Sequence, residues 1–211
     1  MYALNIKEWA EPIPRRPYRM VARARAAANT SERIVAAAAE LFGRLPYDQV
    51  PLSAIANGAG VAVQTVMRRF GSKESLFVEV GEARGRLIRA ARDQAHEGDV
   101  EGAVRNVVES YELWGDVIMH QLEQEPQVSV VRRGAEKGRR YHQAWVRRIF
   151  APLLSGISRG EREVQLAQLV VATDLYSWKI LRRDLGLDRR TAERCMGQMV
   201  TAILRAAPPA P

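Results

Sequence analysis

Gln64 and Arg68 stand four residues apart in the stretch VQTVMRRF at residues 63–70, and both side chains are of the types that read DNA bases. In the major groove a glutamine amide can pair with adenine, and an arginine guanidinium can pair with guanine. Thr65 and Met67 lie beside them and can contact the methyl group of thymine. The stretch contains no acidic residue. These residue types suit contact with DNA bases and offer no acid–base pair for catalysis.

The composition agrees with a folded protein that meets a polyanion. Of the 211 residues, 47% are apolar and 27% are charged, which is enough apolar content for a core, and the net charge of +8 favours an anionic partner. The single cysteine, Cys195, excludes an internal disulfide and indicates a reducing compartment. No apolar run approaches the length of a membrane span, and the first residues have no signal-like apolar region. We therefore expect a cytoplasmic protein with no membrane partner.

Enzymatic chemistry has little support in the sequence. Gly58 and Gly60 are half of a dinucleotide-binding fingerprint, but no strand precedes them. The three histidines have no metal-binding spacing. Arg194 is adjacent to Cys195, and neighbouring residues on a helix do not face each other, so the thiol is not activated. We expect no enzymatic activity, no cofactor and no metal.

The elements that would position these residues are helices. Residues 1–28 hold three prolines and five arginines and predict a flexible basic arm. Thr30 or Ser31 can cap a first helix, whose apolar residues then recur at spacings of three and four. Pro51 opens a short second helix, and the stretch at residues 63–70 forms a third.

The rest of the chain also has helical periodicity, and no stretch alternates as a strand does. A long helix follows Ser72, and a further helix with apolar residues in register follows Asp99. The fold class is therefore all-α, with an N-terminal three-helix unit followed by a larger helical domain. The later helices are predicted at residues 116–124, 126–154, 161–184 and 188–206. The predicted domains are the arm at 1–28, a DNA-binding domain at 29–75, an effector-binding and dimerisation domain at 76–206, and a disordered tail at 207–211.

Two interpretations fit the three short helices equally well by spacing alone. A short helix, a turn with a glycine such as Gly60, and a second short helix form the outline of a helix-turn-helix. An ordinary three-helix cluster with a solvated Gln/Arg face has the same outline.

A family resemblance favours the first interpretation. The stretch RIVAAAAELFGRLPYDQVPLSAIANGAGVAVQTVMRRFGSKESLF resembles the DNA-binding domain of the TetR (tetracycline repressor) family of transcriptional regulators. The motifs AAAELF, IA..AGV and F.SKE.L have the family's spacing over about 45 residues. Three positions depart from the pattern: Ala62 replaces a small hydroxyl residue, Gln64 a glycine and Met67 a tyrosine. These departures affect the operator sequence and not the fold.

The resemblance implies a ligand-responsive regulator, with a repressor expected, that binds a palindromic double-stranded DNA operator as a homodimer and is released by a small hydrophobic molecule. It places Ser53 near the DNA backbone or a base edge, and it places Lys73 on a phosphate at the start of the fourth helix. The remaining implied contacts are made by the third helix: Val63, Gln64, Thr65 and Arg68 in the major groove, with Met67 and Arg69 at phosphate-gripping positions.

Aromatic residues concentrate in the second half of the chain, where the resemblance places a pocket for an apolar or aromatic effector. The alternative for each of them is ordinary core packing. The candidate pocket residues are Tyr111, Trp114, His120, Trp145, Asp174 and Trp178.

The last two long helices carry an apolar stripe, and the resemblance implies that they form a four-helix bundle with a second copy. The candidate interface residues are Leu169, Leu181, Met196, Met199, Val200 and Ile203. The basic run RRGAEKGRR at residues 132–140 is either a solvated face or a site for an anionic effector. A helical carrier of hydrophobic molecules with a membrane-binding arm is the alternative function, and the arm's lack of an apolar face argues against it.

Overall fold

The structure, a computed structural model, describes residues 15–206, and within them every regular element is helical. The all-α class predicted from the sequence is confirmed. Short 3₁₀ turns at Tyr47–Gln49 and Ala151–Leu154 and one π turn at Ile180–Asp184 join or extend the α-helices. The helices are α1 (Arg15–Arg44), α2 (Leu52–Gly58), α3 (Val63–Phe70), α4 (Lys73–Arg92), α5 (Val100–Leu122), α6 (Ser129–Phe150), α7 (Arg159–Ala172), α8 (Leu175–Lys179) and α9 (Arg189–Arg205).

The first helix is longer than the sequence pattern predicts. It begins at Arg15, so the part of the expected flexible arm from residue 15 onward is helical, and residues 1–14 lie outside the described part. Thr30 and Ser31 are not caps: the Thr30 hydroxyl donates to the carbonyl of Ala26 at 2.8 Å, inside the helix. The backbone therefore already has its helical partners where a cap was expected. The tail at 207–211 also lies outside the described residues.

Two further differences concern helix boundaries. The predicted break at residue 116 is absent, and α5 runs unbroken from a cap at Asp99, whose carboxylate accepts the N–H of Gly102. The predicted helix at 161–184 is divided at Thr173 and Asp174, because the Asp174 side chain accepts the N–H of Tyr176 and starts α8. Capping chemistry decided the second boundary.

Two hydrophobic cores organise the described chain. The N-terminal core packs α1, α2, α3 and the first turns of α4 together, and it includes Val130 and Val131 from the start of α6. The C-terminal core packs α5, α6, α7, α8 and α9 around Trp145 and Trp178, which are 1% and 0% exposed. Because α6 contributes to both, the N-terminal core extends past the predicted domain boundary at residue 75. Within residues 15–206, no helix has the length and apolarity that a membrane span requires.

Candidate nucleic-acid interface and the domain behind it

Helix α3 has one buried face and one exposed face. Val66 is 1% exposed and packs in the N-terminal core, with Phe70 against its edge. Gln64 and Arg68 point the other way and are exposed, and Met67 is 41% exposed. An eight-residue helix is marginal alone, so its stability comes from this apolar face. The residues predicted to read bases are therefore presented on a helix that the core holds in place.

The turn between α2 and α3 fixes the angle at which α3 is presented. Gly60 has φ of 62°, a conformation that glycine adopts without strain from a β-carbon. The N–H of Val61 then donates to the carbonyl of Ala56 at 3.0 Å, which closes the turn. Val63, 36% exposed, starts α3 on the outer side, and Thr65 is half-buried beside it.

Arg69 faces α1 rather than open solvent. Its Nη1 donates to the Ser31 hydroxyl at 2.9 Å, and the side chain is half-buried. The contact ties α3 to α1 across the back of the helix-turn-helix. In this structure the guanidinium predicted to grip a phosphate is thus partly engaged within the chain.

Lys73 is also held within the chain. Its Nζ donates to the carbonyl of Asp48 at 3.3 Å and lies 4.7 Å above the ring of Tyr47. Burial lowers the pKa of this ammonium, while the nearby Asp48 carboxylate opposes the change. Ser72 precedes it as the N-cap of α4, accepting the N–H of Ser75 at 3.0 Å. Lys73 therefore lies at a capped helix N-terminus, a place suited to a phosphate.

The charge around α3 is positive. Between Asp48 and Glu74 the sequence has no acidic residue, and Glu74 pairs with Arg133 of α6. Ser53 is exposed near the start of α2. The eight predicted contact residues come from α2, α3 and the start of α4, but Arg69 and Lys73 are already engaged as described.

Several contacts join the helix-turn-helix to the rest of the chain. The N–H of Tyr47 donates to Oε1 of Gln124 at the end of α5, at 2.6 Å. Glu74 and Glu82 of α4 pair with Arg133 and Lys137 of α6. The pKa of Glu82 is lowered, mainly by its bond from Lys137. These contacts connect α4, α5 and α6 close to the DNA-facing unit.

The same ion pairs account for most of the basic run at residues 132–140. Arg139 makes two bonds to the carboxylate of Glu125, at 3.0 and 2.6 Å. Arg133 and Lys137 pair with α4 as described. The run is therefore largely an ion-paired face, which favours the first of its two interpretations.

The predicted pocket residues are only partly brought together. Tyr111 and Trp178 have ring centroids 6.0 Å apart, and the Arg92 guanidinium lies near the rings of both Tyr111 and Trp145. Trp178 packs so tightly on Gly115 that a β-carbon there would lie 2.4 Å from the indole ring. Asp174 serves as the cap of α8.

His120 and Trp114 lie apart from this group. His120 is half-buried next to Gln124, near the helix-turn-helix. Trp114 is half-buried on α5 and makes no ring contact with another aromatic side chain of the described residues. Two surface cavities of about 690 and 600 Å³ lie elsewhere, between α5 and α9 and between α1 and α2. Neither is lined by any of the six candidates.

The predicted dimer residues divide into three groups by burial. Leu169, Met196 and Val200 are completely buried in the chain's own core, because α7 and α9 pack on α5, and they are unavailable to a second copy in this conformation. Leu181 and Ile203 are partly buried against that core. Met199 alone is exposed, at 39%. The largest exposed apolar side chains of α7 are instead Val164 and Val171, at 59% and 66%.

Arg92 and His142 form a buried polar pair that the sequence analysis did not identify as a site. Arg92 is 3% exposed and donates to Nδ1 of His142 at 3.1 Å. Helical spacing did not reveal it: Arg92 follows Val80 by twelve residues and Leu76 by sixteen, which turns it well away from their buried face of α4. Leu87, seven residues after Val80 and therefore on the same side of α4, is 58% exposed. Among residues 15–206, no three His, Cys, Asp or Glu side chains cluster as a metal site would require.

Comparison with known proteins identifies the N-terminal unit. Residues 34–80 match the family model of bacterial regulatory proteins of the tetR family. The sequence matches none of the curated proteins. The predicted resemblance to TetR-family regulators is confirmed.

Solved structures share the whole architecture at low sequence identity. A transcriptional regulator from Rhodococcus sp. RHA1 is 16% identical, covers 86% of this chain and 99% of its own, and has a TM-score of 0.66. A TetR-like transcriptional regulator from the same organism is 16% identical, with coverage of 84% and 97% and a TM-score of 0.64. The likeness shows a common fold.

Proposed function

We propose that this chain, with a TetR-type DNA-binding domain at residues 34–80, is a transcriptional repressor that binds a palindromic operator as a homodimer and leaves it when a small, largely apolar molecule binds. The observation that carries the proposal is the presentation of α3. Gln64 and Arg68 are exposed on a helix whose opposite face is anchored by Val66. No acidic residue lies between Asp48 and Glu74 to repel the DNA backbone.

The roles of the side chains follow from their positions. Gln64 and Arg68 read base edges, and Thr65, Val63 and Met67 provide apolar contact with thymine methyl groups. Ser53 and Lys73 bind phosphates at the two sides of α3. To do so, Lys73 gives up its hydrogen bond to the carbonyl of Asp48. Arg69 exchanges its bond with Ser31 for a phosphate, or keeps it and orients α3.

A second copy is required because one short helix reads too few base pairs for a regulatory site. Two-fold pairing places two recognition helices about 34–36 Å apart, one turn of DNA. The exposed apolar side chains Val164 and Val171 of α7 and Met199 of α9 form the proposed dimer face. These replace the buried residues of the same helices as the interface.

Helix α6 provides a direct route from the effector domain to the DNA. Val130 and Val131 at its start lie in the N-terminal core, and Trp145, four turns later, lies in the C-terminal core. A shift of α6 caused by a ligand would therefore displace the base of the DNA-reading unit. A ligand releases DNA only if it binds the shifted arrangement more tightly.

Selection from random double-stranded DNA by the purified protein tests the proposal. We expect enrichment of a palindrome whose half-sites are centred about one helical turn apart. Enrichment of no sequence would overturn the regulator and leave a helical carrier of hydrophobic molecules as the alternative.

A further inference from the structure

Arg92, the last residue of α4, is a buried cation with no anionic partner in the described chain. It is 3% exposed, and none of the ion pairs within residues 15–206 includes it. Its guanidinium carbon lies 4.9 Å from the ring centroid of Tyr111 and 5.4 Å from that of Trp145. Arginine stays charged when buried, and an uncompensated buried charge is costly. The site therefore has a charge that aromatic faces compensate only in part.

The hydrogen bonds around Arg92 show that His142 does not supply the missing negative charge. Arginine can only donate, so Nδ1 of His142 accepts the bond at 3.1 Å and the proton is on Nε2. Nε2 then faces the carbonyl of Val170 and the hydroxyl of Thr173, both at 3.3 Å, and that hydroxyl donates to the carbonyl of Leu169. Every link is satisfied with a neutral imidazole. Burial, and secondly the charge of Arg92, lower the pKa of His142 to about 4.

Two buried donors, one at the end of α4 and one on the turn of α6 that precedes Trp145, lack acceptors among the described residues. They are Nε of Arg92 and the hydroxyl of Tyr141, both buried. Asp174 is a nearby carboxylate, but it caps α8 by accepting the N–H of Tyr176 at 2.9 Å. The Arg92 guanidinium beside the flat faces of Tyr111 and Trp145, together with the Tyr141 phenol one turn before Trp145 on α6, forms an incomplete site for an anion.

We propose that Arg92 and Tyr141 bind the carboxylate of the effector, and that the effector is a monocarboxylic acid with an aromatic or otherwise apolar body. This inference rests on the proposed function in treating the C-terminal domain as the effector domain. One guanidinium and one hydroxyl match a single carboxylate in number of donors and in charge. A phosphate, with up to two charges, would need more cations than the site offers. The rings of Tyr111 and Trp145 contact the apolar body.

The position of Arg92 couples this site to the DNA-binding unit. Arg92 ends α4, and Lys73 begins it at the DNA-facing end. His142 and Trp145 are on α6, and Trp145 also donates to the carbonyl of Arg92 at 3.2 Å. A carboxylate that draws the guanidinium away from His142 changes how α4 and α6 lie against each other.

The test compares acids with their uncharged amides on the full-length protein. 4-Phenylbutyrate and decanoate are titrated beside 4-phenylbutanamide and decanamide, with tryptophan fluorescence and thermal unfolding as readouts. We expect each acid to bind at least about tenfold more tightly than its amide, since a charge-assisted bond is lost in the amide. Equal binding of acid and amide, or binding of neither acid, would overturn the proposal.

Variants assign the preference to Arg92. Arg92→Met should remove the preference for the acid, Arg92→Lys should retain it, and Tyr141→Phe should weaken acid binding without affecting the amide. Arg148→Met is the matched control. Arg148 is on the same side of α6 as Tyr141, two turns later, but its guanidinium pairs with Asp93. Without ligand, Arg92→Met should unfold at the same or a higher temperature than wild type, since it removes an unpaired charge. A lower unfolding temperature with unchanged acid preference would identify Arg92 as a packing residue only.

DNA binding measured on the same samples separates this proposal from the proposed function. Acid binding that leaves DNA affinity unchanged keeps the site and overturns ligand release. Sequence-specific DNA binding without any preference for acids keeps the regulator and overturns the site.

Discussion

The backbone N–H of Tyr47 donates to Oε1 of Gln124 over 2.6 Å, joining the loop before α2 to the end of α5, 77 residues further along the chain. Gln124 is itself oriented by a bond from its Nε2 to the carbonyl of His120 at 2.9 Å. The two domains are thus joined by a specific hydrogen bond in addition to apolar packing.

Gln124→Ala should lower the free energy of unfolding by about 1–2 kcal/mol, because it leaves the partly buried N–H of Tyr47 without its acceptor. Urea denaturation followed by circular dichroism measures the change. Gln127→Ala, an exposed glutamine three residues away, should change it little. Equal losses in the two variants would show that the bond to Tyr47 does not stabilise the protein.

His142 should make the protein less stable in mild acid. Its folded pKa of about 4 lies below the ordinary value of 6.5, so between these values the unfolded chain binds a proton that the folded chain does not. The stability due to neutral His142 is therefore complete above pH 6.5 and is lost as pH falls toward 4. Between pH 7 and pH 5, the free energy of unfolding should fall by about 2 kcal/mol more in wild type than in His142→Gln.

Urea denaturation at pH 7 and pH 5 provides the comparison. His96→Gln is the control, since His96 is exposed and its replacement should leave the pH dependence of wild type intact. The same pH dependence in wild type and His142→Gln would contradict a buried neutral imidazole.

The helix-turn-helix was the part of the molecule that the sequence predicted best. Val66 and Phe70 at four-residue spacing, and Gly60 in a turn, are local signals, and the helices formed where those signals placed them. The resemblance to a known family added the positions that are predicted to face DNA. Arg69 bonds to Ser31, and Lys73 bonds to Asp48. Both are tertiary contacts, which the spacing of residues along the sequence cannot predict.

The C-terminal domain was predicted less completely, for a physical reason. An apolar stripe at helical spacing is the same whether it faces the chain's own core or a second copy. Leu169, Met196 and Val200 proved to be core, and Val171 is among the apolar residues left outside. Arg92 was missed because charged residues are rarely buried and because its spacing does not place it on the face of α4 that carries Leu76 and Val80.

Dimerisation should depend on the exposed residues of α7 and α9. Val171→Glu and Met199→Glu place a charge on the proposed dimer face and should give folded monomers. Sedimentation velocity at micromolar concentration measures the state. Leu87→Glu, which alters an equally exposed leucine on α4, should stay dimeric like wild type. A monomeric wild type would refute the dimer, and a dimeric Val171→Glu/Met199→Glu double variant would refute this face.

Fluorescence anisotropy with the selected palindrome measures whether the exposed face of α3 reads DNA. Arg68→Ala is compared with Arg140→Ala, which removes the same charge from an exposed position on α6. Arg68→Ala should lose about 1–3 kcal/mol of binding free energy and its preference at one base pair of each half-site, whereas Arg140→Ala should bind like wild type. Equal affinity and unchanged base preference in both variants would show that Arg68 does not read DNA.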